Sequence, residues 1–168
     1  MRNKSFSKEC FYNALVEIMK EKEFEEIQIN EICERAGFNR STFYRNFNSK
    51  IDVLMTKFKE EAKKYQNLVS DNKDNTFIYK MSKLFETLRC SYDIFIQIRK
   101  AKLDQEMYQE FSNIYPIDLG FNSSPYGMVF KTGGVYMVII KWMENGMKES
   151  DLEMAETLKN IINSANVI

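Results

Sequence analysis

The chain has 168 residues, 44% of them hydrophobic and 29% charged, with 24 basic side chains balanced by 24 acidic ones. That is enough apolar material for a packed core and too much for a disordered tail. There is no histidine, and Cys10, Cys33 and Cys90 stand far apart, which argues against histidine-based catalysis, a zinc site or a disulfide framework.

Neither end of the chain carries the charge excess. Residues 1–50 hold nine basic and eight acidic side chains, and residues 51–168 hold fifteen and sixteen. Any anion binding must therefore be focused locally. No N-terminal stretch reads as a signal peptide, and the longest apolar run, Val135 to Ile140, is far shorter than a membrane span. A soluble cytoplasmic protein is expected, with no cofactor and no membrane partner.

From Ser5 to Met19, apolar residues at Phe6, Cys10, Phe11, Ala14, Leu15, Ile18 and Met19 recur at spacings of three and four, the period of an amphipathic helix. A charged break, KEKEFEE, follows. Ile29 to Ala36 reads as a short helix with Ile32, Cys33 and Ala36 inward, stopped by Gly37. Asn39 caps a second short helix over Arg40 to Phe47, and Ser49 caps a longer one running through Val53, Leu54 and Phe58 toward Leu68.

Polar Ser70 to Asn75 reads as a loop. Helices then fit Phe77 to Arg89, Tyr92 to Ala101 and Leu103 to Ile114. Pro116 ends that run, and IDLGFNSS reads as a connector. A long helix extends from Pro125 to about Asn145, and Ser150 caps a last one reaching Ile162. The fold class is all-α: a three-helix head at 1–50, whose last helix continues to about 70 as a connector, and a helical-bundle body at 51–168.

One window is chemically unusual. Between Arg35 and Lys50 stand four cations and no acid, interleaved with hydroxyls and aromatics, although acids are frequent just upstream. Two short helices joined at Ala36-Gly37-Phe38-Asn39 fit helix-turn-helix geometry, in which the second helix enters the DNA major groove. Its first turn carries Arg40, Ser41 and Thr42 beside free backbone N–H groups that favour an anion. Phe43 and Phe47 face the core, leaving Tyr44, Arg45 and Asn46 outward, and Lys50 within reach of a flanking phosphate. A carboxylate in this window would repel the DNA backbone.

The same residues resemble the DNA-binding head of the tetracycline-repressor (TetR) family of transcriptional regulators. The resemblance rests on the I-x-x-x-A-G step at Ile32–Gly37, the T-F-Y-x-x-F run at Thr42–Phe47 and the Ser49-Lys50 pair. It implies DNA contacts at Arg40, Ser41, Thr42, Tyr44, Asn46 and Lys50, with Arg45 an added candidate. Where the family usually opens its second helix with Thr or Ser, this chain has Gln28, a poorer cap, and Asn30 is expected to share the backbone contact.

The body carries weaker signals. The helix after Pro125 is apolar almost all round, and Gly133-Gly134 in its middle costs about 1 kcal/mol each relative to alanine, which suits close approach by another helix. Trp142-x-x-x-Gly146 followed by Ser150-x-x-Glu153-Met154-Ala155 resembles the last two helices of many TetR-like regulators. The resemblance implies a two-fold, four-helix interface, with Gly133, Gly134, Met137, Lys141, Trp142, Leu158 and Ile162 as candidates. Phe85, Tyr92, Phe95, Phe111, Tyr115, Tyr126 and Phe130 are candidate lining for a pocket that would take a small apolar or aromatic effector, although each is first of all a core residue.

The expected function is a sequence-specific, DNA-binding transcriptional regulator, a repressor by the family's habit, acting as a homodimer on a palindromic operator. The alternative is a protein-interaction module whose degenerate head no longer binds DNA. An enzyme is disfavoured, because no nucleophile has a plausible base and no metal-ligand spacing is present.

Overall fold

The computed structural model describes residues 4–71, 74, 76–115 and 124–164. Among them are helices α1 (Lys4–Ile18), α2 (Ile29–Ala36), α3 (Arg40–Asn46), α4 (Lys50–Ser70), α5 (Phe77–Cys90), α6 (Tyr92–Lys100), α7 (Asp104–Ile114), α8 (Pro125–Glu144) and α9 (Asp151–Ser164), with no strand. The expected elements are all present, most of them within one or two residues. Pro116 and nearly all of the expected connector after it lie outside the described residues.

The charged break holds one element that periodicity did not show, a single 3-10 turn at Phe24–Glu26. Its apolar residue, Phe24, is buried, as is Ile27 just after it. Two apolar side chains among six charged neighbours are too few to register as a helical pattern, yet burying them fixes where the chain enters α2.

The described chain groups into two compact units. The first comprises residues up to Glu60 together with Asp93–Met107. Its centre is aromatic: Phe11 of α1 lies 5.3 Å from both Phe38 and Phe43 and 6.0 Å from Phe47, centroid to centroid. Phe11 and Phe43 have no exposed surface. Edge-to-face pairs of this kind add to the burial of the rings themselves. Ile32, Leu15 and Leu54 complete the packing of α1, α2 and the start of α4, and Phe58 of α4 meets Phe95 of α6 at 5.5 Å.

The second unit comprises Glu61–Tyr92 and the described residues from Tyr108 onward. Tyr65, Phe111, Tyr115, Tyr136 and Tyr108 form a chain of aromatic contacts 4.9–5.3 Å apart. Burial raises the pKa of Tyr65 to about 12 and pushes that of Tyr115 up as well, so both are neutral phenols. Helices α5 and α9 pack closely. The α8–α9 turn is held by Arg89, whose guanidinium donates to Asp151 Oδ1 (2.9 Å) and to the carbonyls of Met147 (2.9 Å) and Glu149 (2.7 Å). The guanidinium also lies 4.9 Å from the centre of the Trp142 ring. Gly146 and Met147 in this turn both have positive φ, +79° and +52°, so the bonds from Arg89 stabilise a backbone conformation that is unfavourable for methionine. No helix among the described residues is long and apolar enough to cross a membrane.

Candidate nucleic-acid interface

The turn between α2 and α3 is set by Gly37. Its φ of +71° is left-handed, a region glycine enters without steric cost. In that conformation the Gly37 N–H reaches the Glu34 carbonyl at 3.2 Å and the Phe38 N–H reaches Cys33 at 3.0 Å, the two bonds of a Schellman helix end. At the other end of α2 the Glu31 carboxylate accepts from the Gln28 N–H at 2.7 Å. Gln28, at the N-cap, and Glu31 three residues on thus form a reciprocal capping box. The Gln28 side chain and Asn30 are exposed.

Asn39 caps α3 as its sequence position suggested. Its Oδ1 accepts from the Thr42 N–H (2.9 Å) and also from the hydroxyls of Ser41 (2.8 Å) and Thr42 (2.9 Å). Phe43 and Phe47 are buried as expected, and their burial fixes the rotation of the short helix. Arg40, Ser41, Tyr44 and Arg45 are therefore exposed, while Thr42 is half-buried. Arg40 donates to the Tyr44 hydroxyl at 3.4 Å with its guanidinium 5.8 Å from the ring centre, and Arg45 donates to Thr42 Oγ1 at 3.1 Å. Asn46 is half-buried and turned inward: its amide donates to the Thr42 carbonyl (2.8 Å) and to Ser7 Oγ of α1 (3.3 Å).

The acid-free window does not present four free cations. Arg35 is paired twice with Glu21 of the turn after α1, at 2.9 and 3.1 Å, a bond that holds the Glu21 carboxyl below its ordinary pKa. Lys50 points inward, its ammonium 2.6 Å from the carbonyl of Phe24 and 2.8 Å from those of Glu25 and Ile27. Its expected direction, toward a phosphate beyond the helix end, is not the one it takes. Arg40 and Arg45 remain as the outward cations of α3, and neither is bonded to an acid among the described residues.

The body candidates divide. On α8, Met137 and Phe130 are 60% and 75% exposed and Tyr126 86%, and Gly134 and Lys141 are exposed too. A Cβ at Gly134 would meet nothing within 4 Å, whereas one at Gly133 would lie 3.6 Å from the Tyr108 hydroxyl. Trp142 and Leu158 are corrected to interior positions. Both are 2% exposed, and the Trp142 indole meets Phe85 edge-to-face at 5.0 Å and donates to the Glu149 carbonyl. Ile162 is half-buried.

The pocket candidates differ in burial. Phe85, Phe111 and Tyr115 are core residues of the second unit and Phe95 is a core residue of the first. Tyr92 is half-buried, while Tyr126 and Phe130 face outward from α8. Side-chain composition alone could not separate ring-on-ring packing from a cavity wall. Among the described residues no group of acidic side chains and cysteines is arranged to hold a metal ion.

Comparison with known proteins agrees with this geometry. The model for "Bacterial regulatory proteins, tetR family" matches residues 11–54, and that for a transcriptional regulator C-terminal region of TetR type matches residues 45–164. No curated protein matches significantly. Among solved structures, the chain is similar to the dihydroxyacetone kinase operon activator DhaS (TM-score 0.57, 17% identity, 95% of each chain covered). It is also similar to a transcriptional regulator from Aquifex aeolicus VF5 (0.53, 15% identity, 95% of this chain and 99% of that one). A third is the transcriptional regulator FadR from Bacillus subtilis, solved in complex with stearoyl-CoA (0.51, 18% identity, 89% and 94%). At these identities the structural likeness establishes a shared fold. With family models matching from residue 11 to residue 164, the chain belongs to the TetR family of bacterial transcriptional regulators, not to a family of enzymes.

Proposed function

We propose that the protein is a cytoplasmic repressor that binds a palindromic DNA operator as a homodimer and is released by a small apolar or aromatic effector. The observation that carries the DNA part is the outward face of α3: Arg40, Ser41, Tyr44 and Arg45 exposed on a helix whose rotation is fixed by buried Phe43, with no acid from Arg35 to Lys50. Arg40 and Ser41, in the first turn, are placed to meet base edges. Tyr44 and Arg45, farther along, are placed to meet phosphates.

The homodimer is supported by α8. Tyr126, Phe130, Gly134, Met137 and Lys141 follow one another at spacings of three and four, with Val129 beside Phe130, and all are exposed. Exposed large apolar side chains in line on one helix face suit contact with a partner. Gly134, which has no close neighbour within the subunit, would let a second α8 approach along it. A two-fold axis there gives two recognition helices for two half-sites. The effector reading draws on the aromatic interior of the second unit and on the stearoyl-CoA bound by the FadR regulator.

The test is selection of bound sequences from random duplex DNA at two salt concentrations, on wild type and on Arg40→Ala, Tyr44→Phe and Arg45→Ala. The expected result is a palindromic consensus, a steep loss of affinity with salt, weaker binding in all three variants and a relaxed base preference in Arg40→Ala. No enrichment by the wild type would reject the reading and favour an interaction module. Because a structural neighbour is named an operon activator, the recovered operator should then drive a reporter. Expression that falls when the protein is present supports repression, and expression that rises reverses that part of the proposal.

A further inference from the structure

The residue at the start of α4 performs a different task from the one its sequence position suggests. A lysine at the first position of a helix sits at the positive end of the macrodipole, where a cation is unfavourable. It persists there only with compensating partners, and the fold supplies three. The carbonyls of Phe24, Glu25 and Ile27 converge on its Nζ at 2.6, 2.8 and 2.8 Å. An ammonium has three N–H donors and no more, so three acceptors at charge-assisted distances occupy all of them. The Phe24 ring lies 4.8 Å from the same nitrogen and covers it further. Burial lowers the pKa of Lys50, while nearby Glu25 opposes that shift.

The three carbonyls are not arbitrary ones. They belong to the single 3-10 turn and its exit, directly before Gln28 starts α2. Chain between this turn and Lys50 comprises α2, the Gly37 turn and α3, the whole recognition unit. The ammonium therefore joins the two ends of that segment and closes it into a ring. Lys102 grips the same turn from outside through Glu25, at 3.5 Å. Phe24 and Ile27, both buried, anchor its inner side.

We infer that Lys50 is a positioning residue of the recognition helix and not one of its phosphate ligands: its ammonium is spent on the carbonyls of the 24–27 turn, and it acts on DNA through the placement of α2 and α3. The inference draws on the DNA-binding reading for its consequence, but the closure itself is a property of the free protein. The electrostatic work then falls on α3, where Arg40 and Arg45 are the outward cations.

The slope of log affinity against log salt separates the two roles, because each phosphate neutralised by a cation contributes about 0.9 to it. The slope should be measured on the selected operator for wild type, Lys50→Met and Arg45→Ala, at a temperature where circular dichroism shows each variant folded. Lys50→Met is expected to bind more weakly by about tenfold or more, the size of a mismatched base pair or two, with the wild-type slope retained. Arg45→Ala is expected to lose about 0.9 of slope. A comparable loss of slope in Lys50→Met would make the residue a phosphate ligand and overturn the inference. Unchanged affinity in the folded variant would show that the clasp is only structural, and would overturn it equally.

If Lys50→Met does not fold, the wild-type protein still decides. Nitrogen-15 NMR of the lysine ammonium groups, with Lys50 assigned through Lys50→Arg, should show slowly exchanging ζ protons before any DNA is added, and no further protection with operator bound. Protection that appears only with DNA would overturn the inference. Should the protein select no DNA at all, the functional reading fails, and the same spectrum of the free protein still tests the closure.

Discussion

At the scale of single residues, the side chains that matter in the head are sorted by where their hydrogen bonds go. Arg35, Arg40, Arg45 and Lys50 look alike in a charge count, but the fold gives Arg35 to Glu21 and Lys50 to three carbonyls. Asn46 likewise turns from the outer surface toward Ser7 and the Thr42 carbonyl. Glu31 shows the same economy, because one carboxylate accepts from the Gln28 N–H and from Lys22. Those bonds, that of Lys22 foremost, hold its pKa below the ordinary 4.5. A carboxylate with a depressed pKa contributes stability that is present above the unfolded value and lost as pH falls through the folded one. Thermal unfolding followed from neutral pH down through the acid range should therefore show the wild type losing stability below its unfolded-state value. Glu31→Gln should lose less over the same interval. Identical acid profiles for the two would mean that this carboxylate is not linked to folding.

At the scale of elements, most boundaries were legible because they are decided locally. Asn39, Ser49 and Ser150 were readable as caps because a short polar side chain before an amphipathic run has one favourable use. The structure shows each of them accepting from a backbone N–H near the start of its helix. Gly37 was readable as a stop for the same kind of reason. The 3-10 turn at Phe24–Glu26 was not, since a single turn has no period to detect and its formation depends on burying Phe24 in a core assembled from elsewhere. Gly37 offers a direct test of the local logic. A Cβ there would meet no neighbour within 4 Å, so any cost of Gly37→Ala comes from backbone conformation alone. Holding alanine at φ +71° is expected to lower stability by about 1–2 kcal/mol, measured by urea unfolding at constant denaturant dependence. A neutral result would show that the turn relaxes without penalty.

At the scale of the whole molecule, the predicted assembly rests on which face of α8 is left outside. If α8 pairs with its counterpart in a second copy, a charge at an exposed position of the stripe should break the dimer and leave the subunit folded. Met137→Asp is the choice, because Met137 is 60% exposed and its replacement leaves the core intact. Sedimentation is expected to show monomers, helical content to stay as in wild type, and operator affinity to fall, since one head reads only one half-site. A variant that remains dimeric would move the interface elsewhere. The sequence by itself determined the all-α class, the element order and the helix-turn-helix motif, because periodicity, caps and an acid-free window are written in residues close together in the chain. Tertiary structure alone decided which cations are free, that Trp142 and Leu158 are interior, and that Tyr126 and Phe130 face outward. Those outcomes depend on partners distant in the chain, such as Glu21 for Arg35, Phe24 for Lys50 and Phe85 for Trp142. Only packing brings such residues together, and no local pattern specifies what a side chain will touch across that separation.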